Sequence, residues 1–586
     1  MNTWRLRLAT PLVAVLAFVA SVAGIRNLFT YDDRYIIELA PAMHTLRGWW
    51  DVFQSSYWSK AWGGDGYRPL TLLAFRIEWV IGGGNAAVFH AVNIALYVAA
   101  SVLVFALARR MLPTWAAWVA AALFAVHPVH VEAVANVVGQ SELAVAVAFL
   151  VALVFYIDDR KENRLRPRTA AIVAAAYAVA CFAKEHGIVL PALLVAAELT
   201  IIADSTPLVR RARELAPLYV TLAIIAVVFV GVRSSVLSDH GLGGFQPFTP
   251  FRALHIGSVD RILTAVTVVP QWFRLLLWPA RLSSEYGPPE IEIAQGPSLV
   301  QLPGLLLLVG TVGIAVALRK RQPVISFGVA FAAIALAPSS NFLLPAGIVL
   351  AERTLFLPSV GAMLVVGAVA IVVREQLTSR YPRSRVPVVC ATAMCASLLL
   401  AGSARSVMRT RVWHDNDRLF RQAVVDSPRA YRAHFMLGAW AFENKRKREG
   451  EAEYRKALSL FPYDPFLSYS MAEQYRNAGS CGSALPLYKW THDLDPNLRL
   501  GHTMYAWCLL QEGRFVDGRK MAVDAFRFGG DPKLLNPMIA YADSALGGAA
   551  KKSSDALSVL AKKAPSKVPD SLQKAAQKGG RGLSAR

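Results

Sequence analysis

Charge is what this 586-residue chain has least of: Asp, Glu, Lys and Arg make up 17% of it, against about 25% in a soluble domain. Acids are the scarcer sign, 40 against 62 Lys and Arg, for a formal net charge of +22. Five cysteines, with no CxxC or Cys/His spacing among them, exclude a disulfide scaffold and a zinc module. So apolar a composition also excludes a disordered chain and a coiled coil. Hydrophobic residues fill the space at 55%, and the mean hydropathy is +0.39. A basic surplus can mark a nucleic-acid binder, but on an apolar chain it is the charge that orients membrane helices. Nucleic acid is not needed to explain it, and the expectation is an all-α polytopic membrane protein.

Runs long enough to span a bilayer, roughly 20 residues each, recur until about residue 403 and then stop. The predicted spans are 8–27, 88–108, 114–132, 142–158, 169–184, 187–204, 215–234, 299–318, 323–341, 353–373 and 386–404. One set of connections is dense in Arg and Lys: Arg5 and Arg7; Arg109 and Arg110; Arg160 to Arg168; Arg210 to Arg213; Arg319 to Arg321; Arg374 to Arg385. These belong on the cytoplasmic side. Eleven spans alternate correctly if the apolar stretch 255–280 does not cross, so it reads as an interfacial or re-entrant amphipathic helix with a Trp-rich border. A cleavable signal competes for the first span, because MNTWRLR precedes an apolar stretch and Ala-Ser-Val-Ala. A retained anchor is preferred, because informative acids follow it directly.

The transmembrane part is thus 1–404, with a first outer loop at 31–87 and a second, 235–298, carrying the interfacial helix. From 405 to 548 the chain repeats. Pro428, Pro462 and Pro496 stand 34 residues apart, Tyr454 and Leu460 recur as Tyr488 and Leu494, and Gly479 recurs as Gly513. That period is the tetratricopeptide signature, in which helix hairpins stack into an α-solenoid. Two repeats are clear and a third, ending near Gly530, is degraded. Residues 549–586, rich in Ala, Lys, Ser and Gly, read as a disordered basic tail. Cys181, Cys390 and Cys395 sit in apolar runs and read as small buried hydrophobes. Cys481 and Cys508 can pair if the repeats lie outside the cytoplasm, and spacing alone leaves this open.

The residues that carry chemistry are ionisable groups at the outer ends of the spans. Tyr31-Asp32-Asp33-Arg34 opens the first outer loop. Paired carboxylates at a membrane boundary can give one a raised pKa and let it act as a general base on a hydroxyl. Asp also caps helix amides, and for the pair alone capping is the stronger reading. Trp49, Trp50, Trp58 and Trp62 suit an interfacial aromatic belt or a sugar platform, and the belt is preferred. Arg68, beside Pro69, can meet a lipid phosphate or anchor a phospholipid. His127, His130 and Glu132 raise a divalent metal site, but Pro128 between the histidines favours a polar cluster facing a cavity, with Glu142 nearby. Lys184, Glu185 and His186 occupy a short outer turn, where Lys184 either neutralises a phosphate or merely breaks two spans. Glu352-Arg353 opens the tenth span, and Arg353 is a second candidate phosphate ligand. Asp32, Asp33, Arg68, His127, His130, Glu132, Lys184 and Arg353 all fall on one predicted membrane face. Acids with cations at an interface suit a hydroxyl attacking a sugar carried on a lipid phosphate.

The ordered set Tyr31-Asp32-Asp33-Arg34, Tyr67-Arg68-Pro69-Leu70, Phe89-His90-Ala91-Val92-Asn93, His127 to Glu132, Gly139 to Glu142, Lys184 to Gly187, Glu352 to Gly361 and Trp413-His414-Asp415-Asn416 resembles the transmembrane and tetratricopeptide-repeat O-mannosyltransferases. The resemblance covers about residues 25–530. It implies a C-type glycosyltransferase fold, a lipid-phosphate-linked sugar donor, and chemistry on the outer or lumenal side. It puts the acceptor-orienting acid at Asp32, with Asp33 second, and the donor-phosphate cations at Lys184 and Arg353, then Arg68. It also implies no metal cofactor. Thr354 and Leu355 depart from the aromatic that relatives favour after the Arg.

The expectation is an integral-membrane glycosyltransferase that moves a sugar, mannose by resemblance, from a polyprenyl-phosphate carrier to a protein Ser/Thr hydroxyl. Its partners would be that donor, an acceptor protein or peptide held by the repeats, and membrane lipids. Glu185 and Glu352 join the polar cluster around the cavity. The alternative is a membrane-anchored repeat scaffold with an inactive membrane domain. Ala- and Arg-rich usage with compact loops suggests a prokaryotic plasma (inner) membrane, with the repeats periplasmic or extracellular.

Overall fold

Apolar periodicity without strand signals yields helices throughout. The computed structural model describes residues 3–58, 66–203, 206–238, 250–254, 256–496, 499–528 and 530–547, and no strand occurs among them. Trp62 and the expected tail at 549–586 lie outside the described residues. The membrane part contains α1 (Thr3–Ser21), α2 (Pro69–Gly82), α3 (Ala86–Ala108), α4 (Thr114–Ala125), α5 (Val131–Ala135), α6 (Gln140–Lys161), α7 (Pro167–Ala183) and α8 (Leu190–Thr200). It continues through α9 (Leu208–Ser238), α10 (Pro250–Ala253), α11 (Ser258–Leu277), α12 (Leu302–Leu318), α13 (Pro323–Leu336), α14 (Phe356–Arg380) and α15 (Val386–Val412).

Among the described residues, seven helical stretches are long and apolar enough to cross a bilayer: Leu8–Arg26, Ala86–Ala108, Val137–Lys161, Val209–Leu237, Leu299–Leu318, Glu352–Arg380 and Val386–Val412. An eighth is broken, Thr114–Ala125 and Pro128–Ala135 meeting at 45°. Pro128 is the cause, since it can neither donate an amide nor continue the helix before it. The remaining expected spans are the shorter apolar helices Pro167–Ala183 and Pro323–Ser339 and the 11-residue α8. The chain is an integral membrane protein by these helices. The stretch expected to lie along the interface forms α11, which buries Val268, Val269 and Trp272 on one face and exposes Val259 and Leu277 on the other.

Small residues let the helices approach, as bilayer packing demands. Ala116, Ala117, Ala120, Ala121 and Ala125 bury one side of α4. At the α13–α14 crossing, a Cβ on Gly361 would sit 2.2 Å from the Gly328 carbonyl oxygen, so only glycine fits. This contact fixes the first turns of α14, and Arg353 just before them, against the middle of α13. At the far end of α6, roughly 27 Å from Glu142 at 1.5 Å per residue, Glu198 accepts from Arg160 (2.7 Å), Tyr156 (2.9 Å) and Arg211 (3.1 Å). Two arginines expected among the topogenic charges are therefore buried in an ion-pair network. Cys390 and Cys395 also differ from expectation. They sit exposed and half-buried on α15, because the apolar surroundings their sequence implies are the bilayer side of that helix and not a protein core.

After α15 the helices become amphipathic and pair. They are α16 (Asn416–Asp426), α17 (Tyr431–Glu443), α18 (Lys447–Leu460), α19 (Pro465–Asn477), α20 (Cys481–Leu494), α21 (Arg499–Gln511), α22 (Phe515–Arg527) and α23 (Pro532–Leu546). Three hairpins begin at Tyr431, Pro465 and Arg499, and their second helices at Lys447, Cys481 and Phe515, each 34 residues after the last. The third hairpin, whose sequence pattern is weakest, keeps 13 residues in each helix. Tyr431, Tyr454, Tyr469 and Tyr488 fill the spine between hairpins. Cys481 and Cys508 form a disulfide between α20 and α21.

Candidate functional site

Asp32 follows the turn that ends the first span. The preceding residue, Tyr31, has φ +55°, a left-handed backbone that bulky residues rarely adopt. This turn aims Asp32 into a cavity of about 320 Å³, which Arg68, Glu142, Lys184, Glu185, His186 and Arg353 also line. Six of the eleven candidate residues thus meet around one space, although they span more than 300 positions in sequence. The Asp32 carboxyl is buried, and its Oδ1 has no hydrogen-bond partner. Burial pushes it up to about 7, against the pull of Arg353 and Arg432.

Each cation arrives with a carboxylate. Arg68, at the N-cap of α2, donates from Nε to Glu185 (2.9 Å), and its guanidinium lies 4.4 Å from the Tyr57 ring centroid. Lys184, the C-cap of α7, donates from Nζ to Glu142 at 2.5 Å, and His186 Nε2 lies 3.3 Å from the other oxygen. Burial lowers both Lys184 and His186, the latter to about 4, so the imidazole is neutral at pH 7. The turn folds back onto α7 because Gly187 has no Cβ, which would otherwise lie 2.3 Å from the Ala180 carbonyl carbon. Arg353 pairs with Glu132 of α5 through Nη1, and its backbone N–H donates to the same carboxylate at 2.9 Å.

Glu185 ties the outer loop to α7, accepting from the Tyr67 N–H (3.0 Å) as well as Arg68. Burial alone would raise it, but the Arg68 charge and the amide donors prevail and hold it at about 2. Because that value lies below the ordinary 4.5, the tie contributes fully above about pH 4.5 and is lost as pH falls toward 2. Glu185→Gln should therefore lower the melting temperature at pH 7, and the gap to the unmodified protein should narrow steadily as pH falls from about 4.5 toward 2. A gap that stays constant over that range would sink this assignment.

The other candidates sit elsewhere. Asp33 is fully buried and accepts three amides, from Thr30 (3.2 Å), Val137 (3.1 Å) and Val138 (2.9 Å). It pins the loop to the segment before α6, and burial raises it to about 8 despite those donors. His127 Nε2 faces the Leu276 carbonyl at 3.0 Å, whereas His130 lies between Tyr97 Oη (3.0 Å) and Ser359 Oγ (2.8 Å). Among the described residues no group of three or more His, Cys, Asp or Glu is placed to hold a metal ion. Glu132 backs Arg353 from behind. Glu352 accepts from the Ser283 N–H and Tyr286 hydroxyl, both at 2.6 Å, and holds the 281–290 loop. Of the aromatic residues, Trp49 and Trp50 are exposed, whereas Tyr57 and Trp58 line the cavity. Sequence reasoning missed Glu285 and Arg432, which lie beside Tyr31. Nothing in their local sequence signals a site.

No family model matches the chain, and no solved structure matches it. Curated relatives do. Protein O-mannosyl-transferase TMTC4 of Mus musculus is 28% identical over 481 residues, covering 74% of this chain and 63% of its own length. Protein O-mannosyl-transferase Tmtc1 of Drosophila melanogaster is 27% identical over 545 residues, covering 77% and 61%. Protein O-mannosyl-transferase TMTC3 of Mus musculus is 25% identical over 502 residues, covering 80% and 53%. The chain spans about six-tenths of the length of the first two. By these matches the chain is similar, over about three quarters of its length, to proteins named protein O-mannosyl-transferases.

Proposed function

We propose that the chain is a glycosyltransferase that moves mannose from a polyprenyl-phosphate carrier to a Ser or Thr hydroxyl of a protein. One observation carries this reading: a buried carboxylate with an unpartnered oxygen shares a cavity with three cations. In the step proposed, the acceptor oxygen attacks the sugar's anomeric carbon, and the bond from that carbon to the phosphate oxygen breaks. The acceptor proton passes to Asp32 Oδ1, and polyprenyl phosphate leaves with the bonding pair. Attack opposite the leaving group inverts the anomeric centre. Arg353, Lys184 and Arg68 meet the phosphate charge as it develops, without a metal cofactor.

The 34-residue hairpins are read as tetratricopeptide repeats that hold the acceptor. The Cys481–Cys508 disulfide supports placing them on an oxidising, extracytoplasmic side, and the Arg-rich connections support the opposite face as cytoplasmic. The Ala- and Arg-rich composition supports a prokaryotic plasma membrane. In the test, purified full-length protein in lipid receives labelled polyprenyl-phosphate mannose and Ser/Thr-containing peptides. Label is expected on the peptide in a form that β-elimination releases. Peptide that binds while the label stays on the lipid would overturn the enzyme in favour of a membrane-anchored scaffold.

A further inference from the structure

Tyr31 stands directly before the proposed base and is held from three sides. Its backbone N–H donates to Asn416 Oδ1 at 2.8 Å. Its hydroxyl donates to Glu285 Oε1 at 2.6 Å, and Glu285 in turn lies 3.5 Å from Arg432 of the first repeat hairpin. Its ring packs edge-on against Trp413 and beside Phe420, with centroids 6.2 and 6.5 Å away. Two further bonds stitch the approach to this residue: the Leu28 N–H to the His414 carbonyl (2.9 Å) and Asn27 Nδ2 to the Thr410 carbonyl (3.2 Å). A left-handed tyrosine is costly, and such a conformation persists only where its surroundings over-determine it. Here those surroundings come largely from the helix junction and hairpin that follow the last span.

We infer that Tyr31 is a positioning residue for transfer, and that Asn416 and Glu285 clamp its left-handed backbone so that Asp32 faces the cavity. The inference rests on the reading of Asp32 as the base. It makes the start of the repeat region part of the machinery, not only a holder of acceptors. Releasing the clamp lets Tyr31 relax to negative φ, which swings the next carboxylate away from the acceptor. Donor binding survives, because no clamp residue is among the cations that would meet the phosphate.

The test uses full-length Asn416→Ala, Tyr31→Phe and Asn416→Asp, with Asp32→Asn as reference. Asn416→Ala removes the backbone grip, Tyr31→Phe removes the hydroxyl alone, and Asn416→Asp keeps an acceptor oxygen. The first two are expected to lower kcat per folded molecule about 10- to 100-fold, with KM for the lipid donor within about twofold. Asn416→Asp should restore kcat. The pH profile supplies a readout that a merely structural role would not move. Asp32 is faced by Arg353 and Arg432 and by Glu285, Glu132, Asp33 and Tyr57, and its carboxyl is high because it is buried. An unclamped Asp32 reaches solvent, so the acid limb of kcat should move to lower pH in Asn416→Ala. If Asp32→Asn is inactive while Asn416→Ala and Tyr31→Phe keep the normal kcat and acid limb, the clamp is overturned and the base stands. A lowered melting temperature with kcat and limb unmoved overturns it equally. Full activity in Asp32→Asn overturns the base itself.

Discussion

Asp32→Asn should cut transfer by roughly 10²- to 10⁴-fold, the usual contribution of a positioned general base, while the protein still folds and still binds its lipid donor. The substitution is nearly isosteric, and it removes no hydrogen bond from Asp32 Oδ1, which has none. What it removes is the proton acceptor. Under the proposed activity, transfer by the unmodified protein should also fall as pH drops below about 7, because the base works only when ionised and its carboxyl is raised to about 7 by burial. Transfer in Asp32→Asn should be low across the whole range, with no acid limb centred there. Single-turnover measurement with pre-bound donor separates this from a binding defect. Retained single-turnover rates would remove Asp32 from the chemistry.

Arg353 carries the second large effect, and here stability and catalysis pull apart. Glu132 behind it is 1% exposed, so Arg353→Gln leaves an uncompensated buried carboxylate. Breaking one side of such a pair costs about 3–5 kcal/mol, enough to lower the yield of folded protein and its melting temperature substantially. Adding Glu132→Gln removes the orphaned charge and should recover most of that loss, a coupling that a double-mutant cycle measures. Transfer should not recover, since one of the three cations proposed to meet the leaving phosphate is still missing. Recovery of both together would make the pair purely structural.

Much of the architecture was legible because bilayers and repeats impose strong periods. Uninterrupted apolar runs located most helices between α1 and α15, though not α2 or α10, which lie in stretches read as outer loops, and the proline spacing located the hairpins. Pro128 announced the broken helix. The convergence of Arg68, Lys184 and Arg353 was legible by a cruder rule, that ionisable groups at one membrane face have few places to go. What sequence could not supply were pairings. Asp32 and Asp33 look alike in the chain, yet one points into a cavity and the other is consumed by three amides, a difference of side-chain direction alone. His127 and His130 have metal-like spacing but are satisfied by a carbonyl, a tyrosine and a serine. The Tyr31–Asn416 contact joins residues 385 positions apart, and Glu285 and Arg432 have no local pattern to mark them.

One consequence lies in the join between α15 and the helix that follows. The first ends at Val412 and the next begins at Asn416, and Trp413 between them is almost wholly enclosed. So short and packed a joint has no swivel. The hairpins must keep one bearing and one distance to the cavity, as the arm of a compass does to its point. Under the proposed activity, selection of hydroxyls would then be a matter of reach. A segment gripped tightly but too near or too far would go unmodified, and lengthening the joint by a few residues would shift which serines are chosen before it changed how fast any is used.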